Sequence, residues 1–336
     1  MSQSVEREIA GKTLRLETGK IAKQAGGAVW LTVGDTVVMS AATMSREART
    51  GIDFFPLTCD YEERKYAVGK IPGGFMKRGG RPSEKAVLTS RLIDRPLRPL
   101  FPEGMRNDVQ VMAMPLSLDL TSLSDTYAIV AASAALCVSD IPWEGPVGAV
   151  RVGRIGGELI INPSQEQIGE SDLDLVVAGT HKAIIMVEAG CDFVTETDML
   201  AAMDAAHEVI KAQCELQEEL KALAGKPKSE IAKFLPNAEI LKAIQEQMGA
   251  EIRASIQNPD KAARESAIDD LKREIVARFK PEFPENVGEI PEAADKAVKK
   301  AIRSLIIEDS IRPDGRKLDE IRPITCEVGL LPRVHG

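Results

Sequence analysis

The chain has 336 residues, 44% of them apolar and only 4% aromatic, enough for two domains and part of a third with aliphatic cores. No run of eighteen apolar residues offers a membrane span, and the N-terminus (MSQSVEREIAGK) has no apolar signal region. The formal net charge is −8, so an anionic partner would have to be met by a local patch of the opposite sign.

Residues 1–62 read as strands. VEREIAGKTLRLETGKIAKQA alternates apolar and polar positions before Gly26-Gly27 turns the chain. AVWLTVGDTVVMSAATM is a hairpin pattern with Gly34-Asp35 at its turn, and the run Val37-Val38-Met39 predicts a strand buried on both faces. FFPLTCD, residues 54–60, is a further short strand.

A basic island follows. Residues 64–106 hold eleven Lys/Arg against three acids (Glu84, Asp94, Glu103), a net +8, so the rest of the chain sums to −16. Within it, Pro72-Gly73-Gly74 and Gly79-Gly80 bracket Phe75-Met76-Lys77-Arg78. Paired glycines let the backbone turn sharply and project a loop. A ring at its tip can stack a base while Lys77, Arg78 and Arg81 meet phosphates, the combination that single-stranded nucleic acid requires. The structural alternative is a hairpin whose Phe joins the core and whose cations are solvated. A P-loop is excluded, since no GxxxxGK[ST] occurs.

Pro82-Ser83-Glu84 opens a helix with Val87, Leu88, Leu92 and Ile93 as its apolar face. Arg91, Arg95 and Arg98 fall on one side, Asp94 is placed to pair with Arg91 or Arg98, and Pro96 and Pro99 predict a break near Asp94–Arg95. VQVMAMPLSL, residues 109–118, is a strand, and Ser124-Asp125 can cap an Ala-rich helix to Ser139 that lies close on a sheet. Short strands at 148–152, 158–161, 174–180 and 183–188 precede a long helix from Thr195 to about Ala224. This order gives one α/β (α+β) sandwich with a mixed sheet over residues 1–225.

From residue 226 charge alternates with Ala, Ile and Leu, and Pro turns separate three helices (about 238–256, 260–278 and 291–307), a small all-helical unit over 226–310. Residues 324–336 (ITCEVGLLPRVHG) resemble residues 14–28 (LRLETGKIAKQAGGA), which reads as an internal duplication beginning at 311, its second copy cut short. Cys59, Cys137, Cys191, Cys214 and Cys326 are scattered and odd in number, consistent with reduced thiols in the cytoplasm. His181, His207 and His335 have no Cys or His neighbours that would build a metal site or a Ser/His/Asp triad.

Residues 54–104, the helical insert and the IRPDGR…GLLPRVHG restart together resemble the bacterial polynucleotide phosphorylase family. The resemblance implies an RNase PH-like sandwich, then the all-helical domain, then the truncated start of a second RNase PH-like domain. It implies a homotrimeric ring that threads single-stranded RNA and degrades it, mRNA included, from the 3′ end by phosphorolysis. Inorganic phosphate is the co-substrate, nucleoside diphosphates are released, and Mg²⁺ or Mn²⁺ assists. RNA-degradation complex partners are a further implication. Phe75 and Arg78 match the family's channel loop, often Phe-Phe-Arg-Arg, while Met76 and Lys77 depart from it. Phosphate and metal ligands belong to the second domain, so no catalytic or metal residue is transferred here, and this stretch alone is expected to be inactive. The nearest paired carboxylates, Asp172/Asp174 and Asp269/Asp270, read as ordinary surface acids. The rival reading is a catalytically inactive RNA-binding and oligomerisation module.

Overall fold

The computed structural model describes residues 2–71, 80–119, 121 and 123–333. They divide into two compact units, Met1–Phe234 and Leu235–Gly336.

The first unit is a sandwich of two sheets with helices between them. Strands β1 (Gln3–Ile9), β2 (Lys12–Thr18), β3 (Gly27–Val33), β4 (Thr36–Ala48), β5 (Leu57–Tyr61) and β6 (Asn107–Ser117) form a sheet of order β1-β2-β3-β4-β6-β5. Only β5 runs parallel to its neighbour, so this sheet is mixed. A second, antiparallel sheet has the order β10-β9-β7-β8, from β7 (Gly148–Ile155), β8 (Glu158–Ile161), β9 (Leu173–Gly179) and β10 (Ile184–Cys191). The β7–β8 hairpin turns on Gly156 and Gly157 at φ 59° and 87°, where a side chain would be strained.

Helix α2 (Ser124–Val138) lies at the centre and packs on β3 and β4 of one sheet and β7 of the other. Every residue from Asp125 to Val138 is buried, as a helix apolar on all sides requires. Its small residues permit close approach, and Gly27 on β3 sits directly against Ala135 and Ser139. Helix α4 (Glu196–Ala224) starts at Thr195, whose side chain accepts from the Asp198 N–H, and packs on β1, β7 and β9.

Several expectations are corrected. Val38 is core, but Val37 and Met39 are only half-buried, because successive side chains of a strand point to opposite faces and the Val38 face is the one packed into the core. α1 (Glu84–Leu97) runs unbroken through Pro96 before a 3₁₀ turn at Arg98–Leu100. Proline in the last turn forfeits a single ladder bond, and Pro96 with Leu97 is buried. The inward face of α1 is Ala86, Thr89, Leu92, Ile93, Pro96 and Leu97, whereas Val87 and Leu88 are exposed. α2 gains no cap from Ser124, whose hydroxyl instead meets the Tyr61 hydroxyl at 2.8 Å. Asp125 Oδ1 accepts from the Thr126 N–H. The short helix α3 (Gln165–Glu170), with a capping box on Ser164 and Gln167, had no expectation attached to it.

Residues 226–234 fasten to the first unit. Lys228 Nζ donates to the carbonyls of Leu136 and Ser139 at 2.9 and 2.8 Å, and Phe234 N–H donates to Gly104 O. The second unit packs α5 (Ala238–Ser255), α6 (Lys261–Phe279) and α7 (Ile290–Glu308) around Ile244, Met248, Ile275 and Phe279. Residues 324–333 form no strand, since a strand needs a partner and none of the described residues supplies one.

Candidate RNA-facing groove

β5 is the outer strand of the mixed sheet, and α1 lies along its free edge. An open edge invites pairing with another chain. Here side chains close it. The Tyr61 N–H donates to Ser90 Oγ at 2.9 Å, and Arg98 donates to Phe55 O and Leu57 O at 3.2 and 3.1 Å. Arg98 also grips Asp94 in a two-point pair at 2.7 and 2.5 Å. That settles Asp94's partner as Arg98, not Arg91.

Between β5 and α1 runs a groove of about 640 Å³, lined among others by Thr58, Cys59, Asp60, Ser90, Arg91 and Arg95. Pro82, at the exit of the Gly-rich segment, also borders it. Phe75, Lys77 and Arg78 lie outside the described residues. Arg81 is described and exposed.

The island's cations fall into two sets. Arg64 pairs with Glu62, Arg95 reaches Glu188 at 2.7 Å and Val187 O at 2.9 Å, and Arg106 lies over the Phe234 ring at 4.7 Å. By contrast, the side chains of Lys65, Lys70, Arg81, Lys85 and Arg91 make no ion pair or hydrogen bond among the described residues. Free cations beside a groove can hold a polyanion without first breaking an internal pair. Neither the thiol nor the phenol that lines the groove is poised to ionise. Burial, then the neighbouring Asp94, pushes the Cys59 thiol far above its ordinary range, so it stays protonated. Burial likewise raises the Tyr61 phenol to about 12.

Among the described residues, the paired carboxylates do not fit a catalytic metal. Asp172 is held by Arg154 through two contacts at 2.9 and 2.7 Å, and Asp174 and Asp270 are paired to Arg151 and Arg273. Among the described residues no group of three or more His, Cys, Asp or Glu is arranged around a common point. The carboxylates of Asp172, Asp174 and Asp270 are each held by a guanidinium group, which is a structural task.

One consequence is measurable. Hydrogen bonding from Arg154 holds the Asp172 carboxyl below its ordinary 3.8. A depressed folded-state value contributes stability that is present above 3.8 and is lost as pH falls through the folded value. Asp172→Asn should therefore lower the neutral plateau of a stability–pH curve by the small amount that an exposed pair contributes, and flatten the acid limb by the same amount. An acid limb identical to that of the parent would refute it.

Three family models match in sequence. The 3′ exoribonuclease family, domain 1, covers residues 10–142, and domain 2 of that family covers 145–209. The polyribonucleotide nucleotidyltransferase RNA binding domain covers 239–317. The chain therefore belongs to the 3′ exoribonuclease family, within its polyribonucleotide nucleotidyltransferase branch. The polyribonucleotide nucleotidyltransferase of Heliobacterium modesticaldum is 55% identical over 334 residues, 99% of this chain and 47% of that protein. Those of Geobacillus kaustophilus and Chloroflexus aurantiacus are 51% and 50% identical over 98% and 99% of this chain, and 46% and 45% of theirs. The chain thus spans about half the length of the curated relatives it matches. The solved structure of rice Rrp46 is a weaker likeness, with a TM-score of 0.49 and 13% identity over 66% of this chain and 94% of that one.

No helix among the described residues is long and apolar enough to cross a membrane.

Proposed function

We propose that this chain is the N-terminal part of a phosphate-dependent 3′→5′ exoribonuclease that degrades mRNA and releases nucleoside diphosphates. Residues 1–225 would form its first RNase PH-like domain and 226–310 its helical domain, with 311–336 opening a second RNase PH-like domain. In this reading Phe75 stacks a base of single-stranded RNA while Lys77, Arg78 and Arg81 hold its phosphates. The assembly is a homotrimer in the cytoplasm, and Mg²⁺ or Mn²⁺ and the attacking phosphate are held by residues this chain does not contain.

The observation that carries the reading is the set of cations that follow the Gly-rich segment in sequence without an ion pair or hydrogen bond among the described residues, Arg81, Lys85 and Arg91, the last of them lining the groove, in an otherwise acidic chain. Cations without internal partners retain their full charge for a polyanion. Phosphorolysis needs no protein nucleophile because phosphate attacks, so a groove whose thiol is inert suits guiding better than cutting.

The test has two parts. A full-length version given RNA and phosphate should release nucleoside diphosphates, and monophosphates alone would mean hydrolysis. In the 336-residue chain, Lys77→Ala with Arg78→Ala should weaken binding of an oligoadenylate and lower its salt slope by about 1.4, from ~0.7 per single-strand phosphate contact. An unchanged slope returns the segment to a structural role. Turnover by the 336-residue chain itself would overturn the division of labour between it and the rest of the protein.

A further inference from the structure

Helix α4 carries two glutamines inside the sandwich, Gln213 and Gln217, one turn apart. Gln217 uses both ends of its amide. Its Oε1 accepts from Ser133 Oγ at 2.6 Å, and its Nε2 donates to Val147 O at 2.9 Å. Gln213, 1% exposed, uses only one end. Its Oε1 accepts from the Ala149 N–H at 2.8 Å, which fixes the orientation of the amide, while its Nε2 has no partner among the described residues. A buried amide N–H without a partner is uncommon and costly.

The edge of β7 explains why Gln213 is there. Strand β8 pairs only with Val152–Ile155 of β7, so side chains must serve the edge residues before them. Asn162, in the left-handed region at φ 51°, donates its backbone N–H to Arg151 O at 2.7 Å, and its Oδ1 accepts from the Arg151 N–H at 3.3 Å. Gln213 and Asn162 thus stand in for a neighbouring strand. Together with Tyr127 of α2 they line a cavity of about 10 Å³, whose apolar wall is Ile9, Leu14 and Val33 of the mixed sheet. Tyr127 is 4% exposed, and burial raises its phenol to about 12, so the hydroxyl keeps its proton. Neither that hydroxyl nor the Asn162 side-chain NH₂ makes a hydrogen bond among the described residues.

We propose that this cavity is a binding site for one ordered water molecule, which accepts from Gln213 Nε2 and Asn162 Nδ2 and donates to the Tyr127 oxygen. The volume is that of a single water, and three polar partners are what such a molecule ordinarily has. Unused N–H donors exclude a cation, and three aliphatic side chains disfavour an anion. The bound water joins α4, α2 and the free edge of β7 at one point. It is independent of the RNA reading.

A high-resolution crystal structure of the 336-residue chain should show one density peak at about 3 Å from Gln213 Nε2. No peak there would overturn the proposal. Bromide soaking identifies the occupant: an anomalous peak at the same place would mean that Lys12, which also borders the cavity, holds an anion, and would equally overturn it. In solution, Tyr127→Phe answers by the sign of its effect. With water bound, the variant loses a hydrogen bond and its thermal midpoint falls by about 2–4 °C. In a dry cavity it removes a buried hydroxyl that had no partner, so a midpoint that holds or rises overturns the water site.

Discussion

Arg151→Met should lower the free energy of unfolding by about 3–5 kcal/mol, the cost of stranding a buried charge. Arg151 sits on β7 with its side chain 13% exposed and donates to Asp125 Oδ2 at 2.7 Å. It also pairs with Asp174 on β9. Asp125, 10% exposed, stands in the first turn of α2, so the guanidinium ties the central helix to two strands of the second sheet. Desolvation opposes the charged guanidinium, but the two carboxylates outweigh it and hold its pKa above the ordinary value, so it stays charged. Removing the cation leaves Asp125 without its partner. Adding Asp125→Asn to that variant should recover most of the loss, because an amide needs no counter-charge and can still accept from the Thr126 N–H. Urea unfolding of the four corners of this cycle measures the coupling. A loss below about 1 kcal/mol for Arg151→Met would place the trio with surface ion pairs.

Gly27→Ala should cost about 3 kcal/mol or more and abolish folding if the layers cannot part. A Cβ there falls inside van der Waals contact of Ala135 O and lies 2.8 Å from Ser139 Cβ and 2.9 Å from Ser139 N. Two of those three neighbours are backbone atoms near the end of a fully buried helix, so neither can rotate away as a side-chain tip would. Relief requires α2 to slide off β3, which opens gaps along the whole interface. Gly190→Ala, on β10 with open space around its Cβ position, is the matched control and should be nearly neutral. Equal thermal midpoints for the two variants would refute the close-packing account.

Much of the architecture was legible because local patterns and final contacts agree. The turn at Gly34-Asp35, the capped start at Thr195, the small-residue helix from Ser124 and the three Pro-separated helices all lie where spacing predicts. The division of the strands was not legible. One sandwich with a mixed sheet describes the fold, but β7 to β10 form a separate sheet because α2 and α4 stand between the two layers. The face of α1 was misjudged for a related reason. Val87 and Leu88 are as apolar as Leu92 and Ile93, and only the position of β5 and α2 decides which pair is covered.

The charged residues show the same division. Composition and order alone revealed a basic island in an acidic chain and the Gly-bracketed segment inside it. They placed Asp94 beside both Arg91 and Arg98 but could not show that Arg98 takes it, that Arg95 is tied to Glu188, or that Arg91 remains open to the groove. Nor could they show that Asp172 and Asp174 spend their oxygens on Arg154 and Arg151. Period and punctuation depend on neighbours a few residues away, so the sequence determines elements, turns and the sign of each patch. Which cation is free and which apolar face is buried depends on groups dozens of residues distant, as Arg95 and Glu188 are, and those meet only when the sheets close over α2.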